Sequence, residues 1–129
     1  MSFAEVLASE LARRRAKNRR YSLRAFARDL GIDHATLSQL MRGVRRVTPR
    51  MIEALGPRLG LTAGSVARHS AEAVDAALIA AVNRQGFKTS SRWIAVRLGI
   101  SIDEINIALH RLIHQRRLTM AKETQWVVQ

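Results

Sequence analysis

Residues 23–42 read LRAFARDLGIDHATLSQLMR, and the same register returns in residues 91–110 as SRWIAVRLGISIDEINIALH. Two helices that cross closely need a small residue at the crossing, and a sharp turn between them needs a glycine to supply positive φ. Ala27 and Gly31 fill those positions in the first stretch, Ala95 and Gly99 in the second. Phe26, Leu30, Ile32, Leu37 and Leu40 take the apolar offsets of the first, matched by Ile94, Leu98, Ile100, Ile105 and Ala108. A lone small residue four positions before a glycine is common in helices. Seven constrained positions in register are not.

The chain around these pairs reads as helix throughout. Phe3, Val6, Leu7 and Leu11 recur at helical period, which predicts a first helix over 3–17. Ser22 caps a helix from Leu23 to Leu30 and Asp33 one from about His34 to Met41, closed by Gly31 and Gly43. Thr48-Pro49 signs a further helix start, and Gly56-Pro57 kinks or ends that helix. Gly60-Leu61-Thr62 opens a short helical piece, and a separate alanine-rich helix with Val74, Ala77, Leu78, Ala81 and Val82 stops at Gly86. Helices from about Ser91 to Leu98 and from Ile102 to Arg116 follow, the latter capped by Ser101. At the end, Leu118–Ala121 and Gln125–Val128 flank Lys122-Glu123-Thr124, the pattern of a small β-hairpin. The expected fold is all-α with that hairpin. A weak boundary near Ser70 gives domains 1–69 and 70–129 without a Pro/Gly/Ser-rich linker.

Composition narrows the function. The 129 residues carry 22 Lys+Arg against 10 Asp+Glu, a formal net charge of +12. So basic a chain calls for a polyanion, of which nucleic acid is the commonest and an anionic membrane surface the competitor. The excess sits in residues 1–70, with 14 basic and 5 acidic side chains, so the polyanion should meet the first half. Cysteine is absent, which excludes disulfides and thiolate metal sites. No apolar run approaches the ~20 residues that span a bilayer, and Met1–Glu5 lacks the basic-then-apolar order of a signal peptide. A cytoplasmic, nucleoid-associated protein is expected.

Residues 3–61 resemble the lambda-repressor-like (Cro/C1-type) helix-turn-helix family, on the strength of the run from Tyr21 to Leu55. That resemblance implies a bundle of about five short helices whose third enters the major groove of DNA. Residues 71–128 resemble a winged helix, three helices and a two-stranded wing. The combination is similar to a group of bacterial transcriptional regulators that join these modules. The Gly56-Pro57 break departs from the family's uninterrupted fourth helix.

In the family's geometry the base-reading residues are His34, Ala35, Ser38 and Gln39, with Thr36 able to reach a base or a phosphate. Gln39 can pair bidentately with adenine, and Ala35 can meet a thymine methyl. Asp33 is a cap, since its charge opposes phosphate. Arg42, Arg45 and Arg46 follow the reading helix, and Arg24 and Arg28 lie on the helix before it, so these five are expected on phosphates. The run Arg13, Arg14, Arg15, Lys17, Arg19 and Arg20 adds a clamp on adjacent backbone or a minor-groove reach, or in part only a solvated face. A two-fold homodimer on a palindromic site would double the few base pairs that one helix covers.

The second half offers Ile102, Asp103 and Glu104 where its reading helix would begin. Carboxylates there suit the helix dipole and oppose phosphate, which favours a protein-contact or dimerisation role. Arg111, Arg116, Arg117 and Lys122 keep an auxiliary DNA contact open. Ile107 lies outside the core register and reads as an exposed contact or as ordinary burial; Trp93 and Trp126 read as core. His110 and His114 share a metal-capable i, i+4 spacing, but HRLIH has no glutamate and no third ligand. No phosphate-binding loop, nucleophile elbow or carboxylate pair is present. The chain reads as a non-enzyme without metal or cofactor. A non-specific architectural DNA coater and an adaptor that recruits a protein through its second half are the alternatives.

Overall fold

The structure, a computed structural model, describes residues 1–84, 86–122 and 125–128 and is mostly helical. The chain divides into two compact units, Met1–Ser70 and Ala71–Gln129.

In the first unit, α1 spans Phe3–Lys17. Ser2 starts it with a capping box: its hydroxyl accepts from the Glu5 amide, and the Glu5 carboxylate accepts from the Ser2 amide, each at 3.1 Å. Phe3, Leu7 and Leu11 are buried, one face of the helix. Helix α2 covers Leu23–Leu30, α3 covers His34–Met41 and α4 covers Pro49–Leu55, with Ser22, Asp33 and Thr48 as their N-caps. Phe26, Leu30, Leu37, Leu40, Ile52 and Leu55 close the core, each at most 2% exposed. Burial of each such side chain contributes about 1.5–3 kcal/mol.

The Gly56-Pro57 break ends α4 as its chemistry requires, and Pro57–Leu59 continues as one 3-10 turn. Glycine at 56 has a packing reason. A Cβ there would lie 2.6 Å from Val66 Cγ2, so the chain after the turn approaches the backbone itself.

One expectation fails at the next helix. The short piece after Thr62 and the alanine-rich helix are a single element, α5, spanning Ala63–Val82. Its only glycine, Gly64, sits in the first turn, no proline follows, and alanine-rich sequence propagates helix well. The fifth helix is therefore not a short closing one, and the division between the units falls within its residues.

The second unit's core gathers Val74 and Leu78 from α5, Ile94 and Ala95 from α6 (Ser91–Leu98), Ile105, Ala108, Leu109 and Leu112 from α7 (Ile102–His114), and Leu118. Helix α7 ends two residues before the expected Arg116. Arg116 takes a left-handed φ of 58°, and the Arg117 amide donates back to the Leu112 carbonyl at 2.9 Å. That turn delivers Leu118 into the core, fully buried. β1 (Leu118–Lys122) and β2 (Gln125–Val128) pair antiparallel, Leu118 opposite Val128 and Met120 opposite Trp126. The expected turn residues Glu123 and Thr124, and the Lys122 and Trp126 side chains, lie outside the described residues.

Candidate nucleic-acid interface

The two recurrent registers fold alike. Gly31 and Gly99 are both left-handed, at φ 75° and 67°. The amide just beyond each reaches back to the small crossing residue, Ile32 to the Ala27 carbonyl at 3.0 Å and Ile100 to the Ala95 carbonyl at 3.1 Å. Asp33 then starts α3, accepting from the Thr36 amide at 2.8 Å and from the Thr36 hydroxyl at 2.6 Å. That hydroxyl first, then the amide, holds the Asp33 carboxyl below its usual range, so the cap stays charged.

Helix α3 buries Leu37 and Leu40 and turns its other side outward. Ala35 is exposed, and His34, Ser38 and Gln39 are partly exposed around it. Four of the five expected base-reading residues thus share one open face. Thr36 lies at the edge of that face beside Gln39, with its hydroxyl donating to Asp33 and accepting from Arg45 Nη1 at 3.4 Å. A hydroxyl has one proton, and that proton is spent within the protein.

The arginines divide into two groups. Arg14 is engaged within the protein. It donates to Glu10 and to the Tyr21 hydroxyl at 3.0 Å each and to the Arg58 carbonyl at 3.4 Å, with its Cζ 5.1 Å from the Phe26 ring centroid. Tyr21 in turn donates to Asp29 at 2.5 Å. This hub ties the end of α1 to α2 and the 3-10 turn, and only the Glu10/Arg14 spacing of i, i+4 hinted at it. Arg13 is held by the same Glu10 at 2.6 Å, and Arg15 Nε donates to the Tyr21 carbonyl at 3.2 Å.

Two cations on one carboxylate have a measurable signature. Arg13 above all, with Arg14 beside it, holds Glu10 at about 2 against an ordinary 4.5. A carboxyl depressed in the folded state stabilises fully above its unfolded value and loses that contribution as pH falls through the folded one. The urea midpoint followed by helical circular dichroism is expected to drop between about pH 5 and about pH 2, and the Glu10 share of that drop is read by comparison with a variant. Glu10→Gln should flatten that part of the profile; an unchanged profile contradicts the geometry.

The other arginines stay at the surface. Arg19, Arg20, Arg24, Arg28, Arg42, Arg45 and Arg46 are all exposed. Among the described residues only Arg28 of these forms an ion pair, a loose one at 3.9 Å from Asp29, while Arg45 feels the charge of Asp33 across Thr36. Arg42 Nε leans on the Ser38 carbonyl at 3.4 Å. Of the unit's five carboxylates, Glu5, Glu10, Asp29 and Asp33 are taken up by caps and by the hub and only Glu53, exposed on α4, is not, so positive charge prevails around α3. Arg58, not singled out from the sequence, lays its guanidinium against Gly31.

In the second unit Ser101 and Glu104 form a capping box, at 3.1 and 3.4 Å. Arg111 is paired within the second unit: its Nε donates to Asp75 Oδ2 at 3.2 Å and its Nη2 to the other oxygen of that buried carboxylate. Arg116 and Arg117 are exposed. Ile107 is 62% exposed and Val96 80%. Trp93 is half-buried with its ring edge-on to Phe87 at 5.9 Å. His110 and His114 are both exposed, and among the described residues no group of three or more His, Cys, Asp or Glu could hold a metal.

Residues 6–69 match the family model of the helix-turn-helix domain. The match begins inside α1, takes in α2 to α4 and the start of α5, and stops one residue before the first unit ends. The chain matches no curated protein and no solved structure. Within the matched residues, α2 and α3 are the hinged pair and α3 presents the open face. Among the described residues no helix is long and apolar enough to cross a membrane.

Proposed function

We propose that the helix-turn-helix domain binds duplex DNA sequence-specifically, with α3 in the major groove, and that the protein is a bacterial transcriptional regulator of the lambda-repressor-like (Cro/C1-type) kind. One observation carries this: α3 offers Ala35 and the edges of His34, Ser38 and Gln39 on an open face, with exposed arginines on the flanking elements. Base-edge readers ringed by phosphate ligands are what groove recognition requires. Arg24, Arg28, Arg42 and Arg46, with Arg19 and Arg20, grip the backbone. The role is binding, without catalysis or cofactor, in the cytoplasm at the nucleoid. A homodimer on a palindromic site supplies the length of sequence that one eight-residue helix lacks.

The second unit is the winged-helix-like module of this reading, and it serves protein contact or dimerisation. Its exposed Ile107 and Val96 and the Asp103-Glu104 pair at the start of α7 favour an apolar partner surface over a phosphate. The same features favour, as a second reading, an adaptor that recruits a protein while DNA contact stays secondary.

Selection of bound duplexes from a random pool tests the proposal. Enrichment of one motif, with an inverted repeat for a dimer, is expected. Even binding across the pool would leave a non-specific coater, and no binding would end the DNA reading.

A further inference from the structure

Resting on that reading of α3, we propose that Arg45 reads a base edge beside Gln39 instead of gripping a phosphate, and so adds a specificity position from outside the helix. The loop after α3 does not lead away from it. Gly43 turns the chain at φ 73°, and the Val44 and Arg45 amides both donate to the Gln39 carbonyl, at 3.1 and 3.3 Å. Arg45 is therefore anchored at the last turn of α3. Its side chain runs back along the helix until Nη1 stands 3.4 Å from Thr36 Oγ1. Thr36 and Gln39, three residues apart, lie on the same edge of α3, so the guanidinium is laid alongside Gln39.

Charge explains the direction. The Asp33 carboxylate behind Thr36 attracts the guanidinium and repels phosphate, which keeps Arg45 on the groove side of the helix start. That turn is the part of a reading helix that meets base edges. One long hydrogen bond leaves most of the five guanidinium N–H donors free, in the fork that suits guanine O6 and N7. Arg42 differs, since its Nε rests on the Ser38 carbonyl nearer the helix end.

The test is selection from a random duplex pool with the parent chain, Arg45→Ala and Asp33→Asn, followed by salt titrations. Arg45→Ala is expected to lose the preference at one position beside that of Gln39 and to bind the parent's duplex about 5- to 150-fold less tightly. Its salt slope should stay within about 0.3 of the parent's. A slope shallower by about 0.9 with the motif unchanged marks a phosphate ligand and overturns the proposal. Asp33→Asn keeps a good N-cap, so the domain still folds, and it should blur the same position alone. An intact motif in both variants sinks the Arg45 assignment and leaves the DNA reading standing; a parent that enriches no motif sinks both.

Discussion

Arg111→Met is expected to destabilise the second unit by about 3–5 kcal/mol, because it leaves the Asp75 carboxylate buried without its cation. Asp75 is 7% exposed, and Arg111 reaches it with two nitrogens in the forked geometry that satisfies both carboxylate oxygens. The Asp75 hydrogen bond also raises the Arg111 pKa, so the cation persists at any working pH. Both tryptophans, Trp93 and Trp126, lie in this unit, so urea unfolding followed by their fluorescence reports on it. Replacing the pair together, Asp75→Leu with Arg111→Met, removes the stranded charge. That double variant should return to within about 1 kcal/mol of the parent or exceed it. A single variant that costs less than about 1 kcal/mol would mean that water reaches Asp75 and the pair is a surface contact.

Raising salt from about 50 to about 200 mM should weaken duplex binding roughly 500-fold, if about five phosphates are neutralised at about 0.9 in log–log slope each. The number follows from the division of the arginines. Arg13, Arg14 and Arg15 are bonded within the protein and are left out of that count. Arg24, Arg28, Arg42 and Arg46, with one or both of Arg19 and Arg20, are the phosphate ligands that the proposed function requires. Titration by fluorescence anisotropy measures the slope. A slope near −8 would mean that the α1 arginines leave Glu10 and the Tyr21 carbonyl and join the DNA backbone; a slope near zero would remove electrostatic DNA binding altogether.

Helix positions were legible because their signals are local. Ser22, Asp33 and Thr48 cap where a short polar side chain precedes an apolar run, and Gly31 and Gly99 close helices where positive φ is required. The open face of α3 follows from the register of Leu37 and Leu40. What was not legible depends on distance along the chain. Asp75 and Arg111 are 36 residues apart, and nothing in either segment announces the other. Tyr21 and Asp29 look like ordinary surface residues until Arg14 from α1 is placed between them. The continuity of α5 escaped for a different reason: Thr62 and the change in composition near Ser70 read as two beginnings, while helix propensity alone carries the chain through. Arg45 and Thr36 look like independent DNA ligands in sequence and become one arrangement only once the loop after Gly43 folds back on Gln39.

The central claim, that α3 reads bases, is tested most directly by Gln39→Ala bound to the parent's selected duplex and to a scrambled one at the same salt concentration. The exposed edge of Gln39 makes the substitution mild for the fold. The account predicts a loss of about 1–3 kcal/mol on the selected duplex and almost none on the scrambled one. Equal losses on both, or no loss on either, would contradict it.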